Sequence, residues 1–139
     1  MTREELKEIL PHREPMLLVD EAYMDENHIA HGKYKVKGDE WFLKGHFPGF
    51  PVVPGVIQCE IMAQTCCVLL AERIKGHITY VTGMTDFKFK HSVYPGDTLE
   101  IEAKITRSKA NFYFAEGKAS VDGKLCVSGK FSFALVERV

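Results

Sequence analysis

The sequence predicts an α+β fold in which one enclosed helix is wrapped by an antiparallel sheet, and two patterns carry that reading. The segment from Val56 to about Ile74 is apolar nearly all round, which marks a helix surrounded by other structure rather than lying on a surface. The second half of the chain alternates instead: Leu99, Ile101, Ala103 and Ile105, then Phe112 and Phe114, then Leu125, Val127, Phe131, Phe133 and Leu135. Alternation buries one face and wets the other, as antiparallel sheets do. A chain of 139 residues without linker, repeat or low-complexity stretch fits one domain, 1–139.

The elements follow in order. Thr2-Arg-Glu-Glu5 is a capping-box pattern, and Leu6, Ile9 and Leu10 continue it at helical spacing until Pro11 stops the helix. Met16 to Met24 reads as a first strand, and Ile29 to Val36 as a half-exposed second one. Residues 39–55 mix Trp41, Phe42, Phe47 and Phe50 with prolines and glycines, which precludes a regular element and suggests a tightly folded functional loop. Gly76 ends the long helix. Pro95-Gly96-Asp97 and Asp122-Gly123 supply turns between the later strands.

Hydrophobic residues at 45% and charged residues at 27% exclude a disordered chain. A net charge of −1 gives no global attraction to nucleic acid or an anionic membrane, so an acidic partner would need a local basic patch. Lys88 and Lys90, alternating on one face of a strand, are the candidates for it. The amino-terminal residues carry acids and no apolar stretch, so no secretory signal is expected. The apolar run Val56–Ala71 is broken by Gln58, Glu60 and Gln64 and is shorter than the roughly 20 residues of a membrane span. Cys59, Cys66, Cys67 and Cys126 form no C-x-x-C pair and read as reduced, buried, small apolar residues of a cytoplasmic protein.

Glu60 is the sharpest chemical question, because it lies in the second turn of the apolar helix amid Ile57, Cys59, Ile61 and Met62. A buried carboxylate is costly, and burial favours the uncharged acid that a proton donor requires. Gln64, four residues on, shares its face and can orient it. Pro54 and Gly55 start the helix, where unpaired amides favour negative charge and glycine lets an oxygen approach. The rise from Gly55 to Glu60 is roughly 7.5 Å, and helical side chains lean back toward the amino end. One small substrate can therefore touch both. His46, between Gly45 and Phe47-Pro48-Gly49, precedes this helix and completes a candidate general acid/base pair. Among the other histidines, His28 and His31 are expected to face water and His12 to be structural. Metal-ligand spacing, a G-x-S-x-G serine signature and a phosphate-cradling glycine loop are all lacking, so no metal and no cofactor are expected.

Five blocks carry a resemblance: Leu10-Pro-His-Arg-Glu-Pro-Met-Leu-Leu-Val-Asp20, Gly45-His-Phe-Pro-Gly49, Pro51-Val-Val-Pro-Gly-Val56, Glu60-Ile-Met-Ala-Gln64 and Val93-Tyr-Pro-Gly-Asp97. In this order they resemble the 3-hydroxyacyl-[acyl-carrier-protein] dehydratases of bacterial type II fatty-acid synthesis, the FabZ type. The resemblance implies a hot-dog fold, an antiparallel sheet around a long central helix. It implies a homodimer, typically three to a hexamer, with His46 from one subunit meeting Glu60 from the other. It also implies removal of water from a (3R)-3-hydroxyacyl chain on acyl carrier protein to give a trans-2-enoyl chain. In that scheme His46 is the base, Glu60 the acid and Gly55 N–H the holder of the thioester oxygen, with Gln64, Phe47 and Val56 beside the substrate. Phe50, Gln58 and Ile61 depart from the residues usual in the family and bear on the tunnel or the dimer contact.

Three alternatives are weighed against this. A hot-dog thioesterase generally lacks the Gly-His-Phe-Pro-Gly loop that stands here at 45–49. A non-catalytic acyl-binding or carrier-binding subunit would not need His46, Gly55 and Glu60 intact. Isomerisation of trans-2 to cis-3 double bonds uses the same pair and is not separable by sequence.

Overall fold

A computed structural model describes residues 1–44 and 49–137. Helix α1, Arg3–Leu6, opens with the capping box its sequence announced: the Glu5 amide donates to Thr2 Oγ1 and the Thr2 amide to Glu5 Oε1. Six strands among the described residues form a single antiparallel sheet: β1 Glu21–Met24, β2 Ala30–Lys35, β3 His77–Phe89, β4 Thr98–Lys109, β5 Phe112–Val121 and β6 Lys124–Glu137. Their order is β1-β2-β4-β5-β6-β3, so among the described residues β3 lies at an edge of the sheet, paired with β6 alone.

Between β2 and β3 runs the long helix. Helix α2, Gly55–Cys66, passes through a 3₁₀ turn at Cys67–Leu70 into α3, Ala71–Ile74. The single helix expected over 56–74 is thus present but tightens midway. Just before the change Thr65 Oγ1 donates to the Ile61 carbonyl and Cys67 Sγ to that of Ala63, side chains engaging the carbonyls of the preceding turn. By length and apolarity alone Gly55–Ile74 would cross a membrane. Instead it packs on β2, β4 and β5, and Ile57, Ile61, Met62, Thr65 and Cys66 are buried. Contact with β2 is close because Gly32 has no side chain: a Cβ there would lie 2.6 Å from Thr65 Oγ1.

Two strand expectations need correction. The first strand is confined to Glu21–Met24, and residues 16–20 form a loop. Leu17, Leu18 and Val19 are buried in succession, which no one-sided strand permits, and the Arg3 guanidinium takes the Leu17 and Val19 carbonyls at 2.6 and 3.1 Å. In β5 the inward residues are Tyr113, Ala115 and Ala119, while Phe112 is exposed and Phe114 lies under the Arg107 guanidinium at 4.1 Å. The inward set of β5 is odd-numbered throughout, and the extra residue between Ile105 and Arg107 is a bulge in β4 that leaves this parity unchanged. The Asp122-Gly123 turn joins Val121 to Lys124 with both φ angles positive, 49° and 81°, as a type I′ hairpin requires.

His28 is exposed, as expected, but His31 is not a free surface histidine. Its Nε2 lies 2.8 Å from Asp25 Oδ2, and its ring stacks on Tyr23 at 4.9 Å. The hydrogen bond from His31 is the main reason the Asp25 carboxyl is held below its usual range.

Arg3 and Lys7 also fasten Glu14, at 3.1 and 3.2 Å. The Glu14 backbone amide, Lys7 and Arg3 lower its pKa from 4.5 to about 2. A carboxylate depressed on folding contributes stability above its unfolded pKa and loses it as pH falls through the folded value. We therefore expect Glu14→Gln to flatten the loss of stability between pH 4.5 and about 2, measured by denaturant titrations across that window.

Candidate active site

Helix α2 presents Glu60 on the side facing the loop between α1 and β1. Gln64, buried and one turn further, donates from Nε2 to Glu60 Oε2 at 2.8 Å. The same amide is held from the loop: its Nε2 donates to the Met16 carbonyl at 2.7 Å, and its Oε1 accepts from the Leu18 amide at 2.9 Å. Because a main-chain N–H can only donate, the Leu18 contact fixes which end of the Gln64 amide faces Glu60. Arg3, holding the carbonyls of Leu17 and Val19, pins the loop segment that makes these bonds. A line of polar contacts thus runs from the first helix to the acid.

Glu60 opens onto a cavity of about 220 Å³ walled by Ala63, Cys67, Thr79, Val81 and Phe133. A small hollow with apolar walls and a few convergent polar groups, one acid, one amide and one imidazole, suits a short acyl group. Its side chain keeps a quarter of its surface exposed, so it is half-buried rather than fully enclosed as the sequence suggested. A larger hollow, about 730 Å³, lies across β4, β5 and β6 among charged side chains. There Lys104 pairs with Glu116 at 3.2 Å and Lys118 with Glu102 at 3.5 Å, an open ladder of mutually neutralised charges, so the smaller cavity is the better chemical candidate.

Gly55 is the first residue of α2, behind Pro54, whose side chain offers no cap. Its amide has no acceptor within the helix, as at any helix start. Glycine is also needed there for space, since a Cβ would lie 2.8 Å from Cε1 of Phe89. Val56, expected beside the substrate, is 72% exposed in this chain and is not among the residues that wall this cavity. His46 and Phe47 lie outside the described residues. Gln58, a departure from the family pattern, is buried, and its Nε2 donates to Val53 O at 3.4 Å. Lys88 and Lys90 are both exposed, Lys88 near the end of β3 and Lys90 just past it. All four cysteines are buried and unpaired, and burial pushes the Cys66 thiol up to about 12.

Sequence reasoning missed His12. It sits in the α1–β1 loop with its Nε2 3.4 Å from Glu60 Oε2 and lines the same cavity. The signal was its place in the Leu10–Asp20 block, whose other residues also touch the acid's surroundings.

With this geometry in view, the similarities to known proteins are specific. Residues 22–130 match the family model described as ApeI-like, ApeI dehydratase. The chain is 42% identical over 137 residues to the 3-hydroxyacyl-[acyl-carrier-protein] dehydratase FabZ of Natranaerobius thermophilus, covering 96% of each chain. It is 45% identical over 133 residues to the FabZ of Streptococcus sanguinis, covering 94% of each. The chain belongs to the FabZ family of 3-hydroxyacyl-[acyl-carrier-protein] dehydratases.

Membership makes it an enzyme of the hydro-lyase class, with a role in fatty-acid biosynthesis. Among solved structures, the dehydratase heterocomplex ApeI:P from Xenorhabdus doucetiae superposes with a TM-score of 0.81 at 20% identity, over 96% of this chain and 91% of that one. The fluoroacetyl-CoA-specific thioesterase FlK superposes at 0.68 with 16% identity, over 85% and 90%. Both share the hot-dog fold, and at such identity the likeness speaks to fold alone. The antiparallel sheet around a central helix is therefore as the sequence predicted.

Proposed function

We propose that this dehydratase converts (3R)-3-hydroxyacyl-[acyl-carrier-protein] to the trans-2-enoyl thioester, with His46 as base and Glu60 as acid. The observation that carries the assignment of the acid is the Glu60 carboxyl, fixed by an oriented Gln64 amide at an apolar cavity. His46 takes the C2 proton. The C2–H electron pair becomes the C2=C3 bond while the C3–O bond breaks, and Glu60 gives its proton to the departing hydroxyl, which leaves as water. Negative charge that builds on the thioester oxygen meets the Gly55 N–H at the start of α2, where a preorganised donor acts on the transition state more than on the ground state. The thioester acidifies C2 by itself, so the scheme requires no cofactor.

The edge of β3 supports a homodimer as the working form. This strand is 13 residues long, pairs on one side only, and exposes Tyr80, Val81, Met84 and Phe89. A long apolar edge is a template for another strand. Thr79, Tyr80 and Val81 also line the cavity, so a second copy along β3 would complete it, in keeping with the family resemblance by which His46 of one subunit meets Glu60 of the other. We further propose a trimer of such dimers, cytoplasmic location, and docking of the acidic carrier protein at Lys88 and Lys90.

The direct test follows the reverse reaction. Wild-type protein is expected to bleach the enoyl absorbance of a crotonyl thioester while no free thiol appears. Thiol release at constant enoyl content would instead identify a thioesterase. Neither signal would leave the non-catalytic alternative.

A further inference from the structure

The proposed reaction uses one proton from Glu60, and a carboxyl has two oxygens that share it. The structure commits one of them. Oε2 accepts from Gln64 Nε2 at 2.8 Å, and the amide cannot turn over without losing the Leu18 bond. Approaching the same Oε2 from another element is His12 Nε2, at 3.4 Å. At that separation the two groups are in proximity without a formed hydrogen bond, and contacts between catalytic groups often tighten in the reacting complex.

The His12 ring is placed rather than loose. Its side chain is 20% exposed. Its loop is clamped by Arg13, whose guanidinium donates to the carbonyls of Lys7, Leu10 and His12 at 3.0, 2.8 and 2.7 Å. Its Nδ1 is buried with no hydrogen-bond partner among the described residues. A stranded N–H donor is rarer and costlier in protein interiors than a stranded lone pair. The neutral ring therefore carries its hydrogen on Nε2, the atom 3.4 Å from Glu60 Oε2.

We propose that His12 is a positioning residue for Glu60: its Nε2–H and the Gln64 amide together hold Oε2, which leaves Oε1 to carry the proton delivered to the leaving hydroxyl. Two donors on one oxygen polarise the carboxyl and fix its plane. They also stabilise the carboxylate that forms as the proton departs, which is where a charge-assisted hydrogen bond gains strength. This deepens the proposed function and rests on Glu60 being its acid.

The test is a double-mutant cycle on crotonyl thioester hydration, using His12→Leu, Glu60→Gln and the double variant, with His12→Gln as a donor-retaining control. We expect His12→Leu to lower kcat about 10- to 100-fold with KM changed less than about twofold, the size of one hydrogen bond to a charged group. His12→Gln should recover part of that loss. In the Glu60→Gln background, adding His12→Leu should cost less than about twofold, because a residue acting through Glu60 has nothing left to act on. Additive losses, or a raised KM at constant kcat, would overturn the proposal and make His12 a structural or substrate-contacting residue. So would wild-type kcat in His12→Leu. Should His12→Leu fold poorly, His12→Met replaces it under the same criteria. Wild-type activity in Glu60→Gln would instead defeat the acid assignment itself, an outcome distinct from any failure at His12.

Discussion

Glu60→Ala and His46→Ala are each expected to slow crotonyl thioester hydration at least ~100-fold while the far-ultraviolet spectrum and Tm stay near wild type. For Glu60 the fold should survive because the carboxyl is half-buried and its partners, Gln64 and His12, stand on frameworks of their own. Gln64 keeps its bonds to Met16 and Leu18 when the acid is gone. Near-wild-type turnover in either variant would remove that residue from the chemistry. Mixing the two inactive variants then tests whether the site spans subunits: some regain of activity is expected if each contributes one group, and none if both come from one chain.

The second large effect is expected outside the cavity lining, at Gly32. A Cβ there would lie 2.6 Å from Thr65 Oγ1, 2.7 Å from its Cγ2 and 3.2 Å from its Cβ. Thr65 is fully buried, and rotation about χ1 cannot clear both branches at once. The helix must move away from β2, so Gly32→Ala should cost about 1–3 kcal/mol and roughly 4–10 °C in Tm. Activity should fall further than stability explains, since Glu60 rides on that helix and displacements of about 1 Å at a catalytic group are costly. Thr65→Ala in the same chain removes both clashing atoms and should restore most of the Tm. Absence of any Tm change in Gly32→Ala would show that the contact is not tight.

The parts of the fold legible in the sequence were those with a local cause. The Thr2–Glu5 box, the Asp122-Gly123 turn and the alternation in β4 depend on neighbours in sequence, and each stands as read, whereas in β6 Cys126 and Ala134 are buried beside the expected Val127, Phe133 and Leu135. The errors have long-range causes. Residues 16–20 were mistaken for strand because Arg3, 14 and more residues away, takes the carbonyls a ladder would need. In β5 the small residues Ala115 and Ala119 face the core while Phe114 is covered on the other face by Arg107 from the neighbouring strand, a partner that β5's own sequence does not show. The site divides the same way. Glu60 and Gln64 share a helical face and were visible as a pair, whereas His12 reaches the acid across 48 positions of sequence through a loop with no periodicity.

The lone-sided strand at the sheet's end has a thermodynamic corollary. Thr79, Tyr80 and Val81 belong at once to that rim and to the wall of the cavity beside Glu60, so whatever docks along the rim also reshapes that cavity. With the proposed second copy on that rim, ligand occupancy and self-association would be linked functions of one another: each should rise with the other's concentration, and turnover per chain should decline on dilution before secondary structure does.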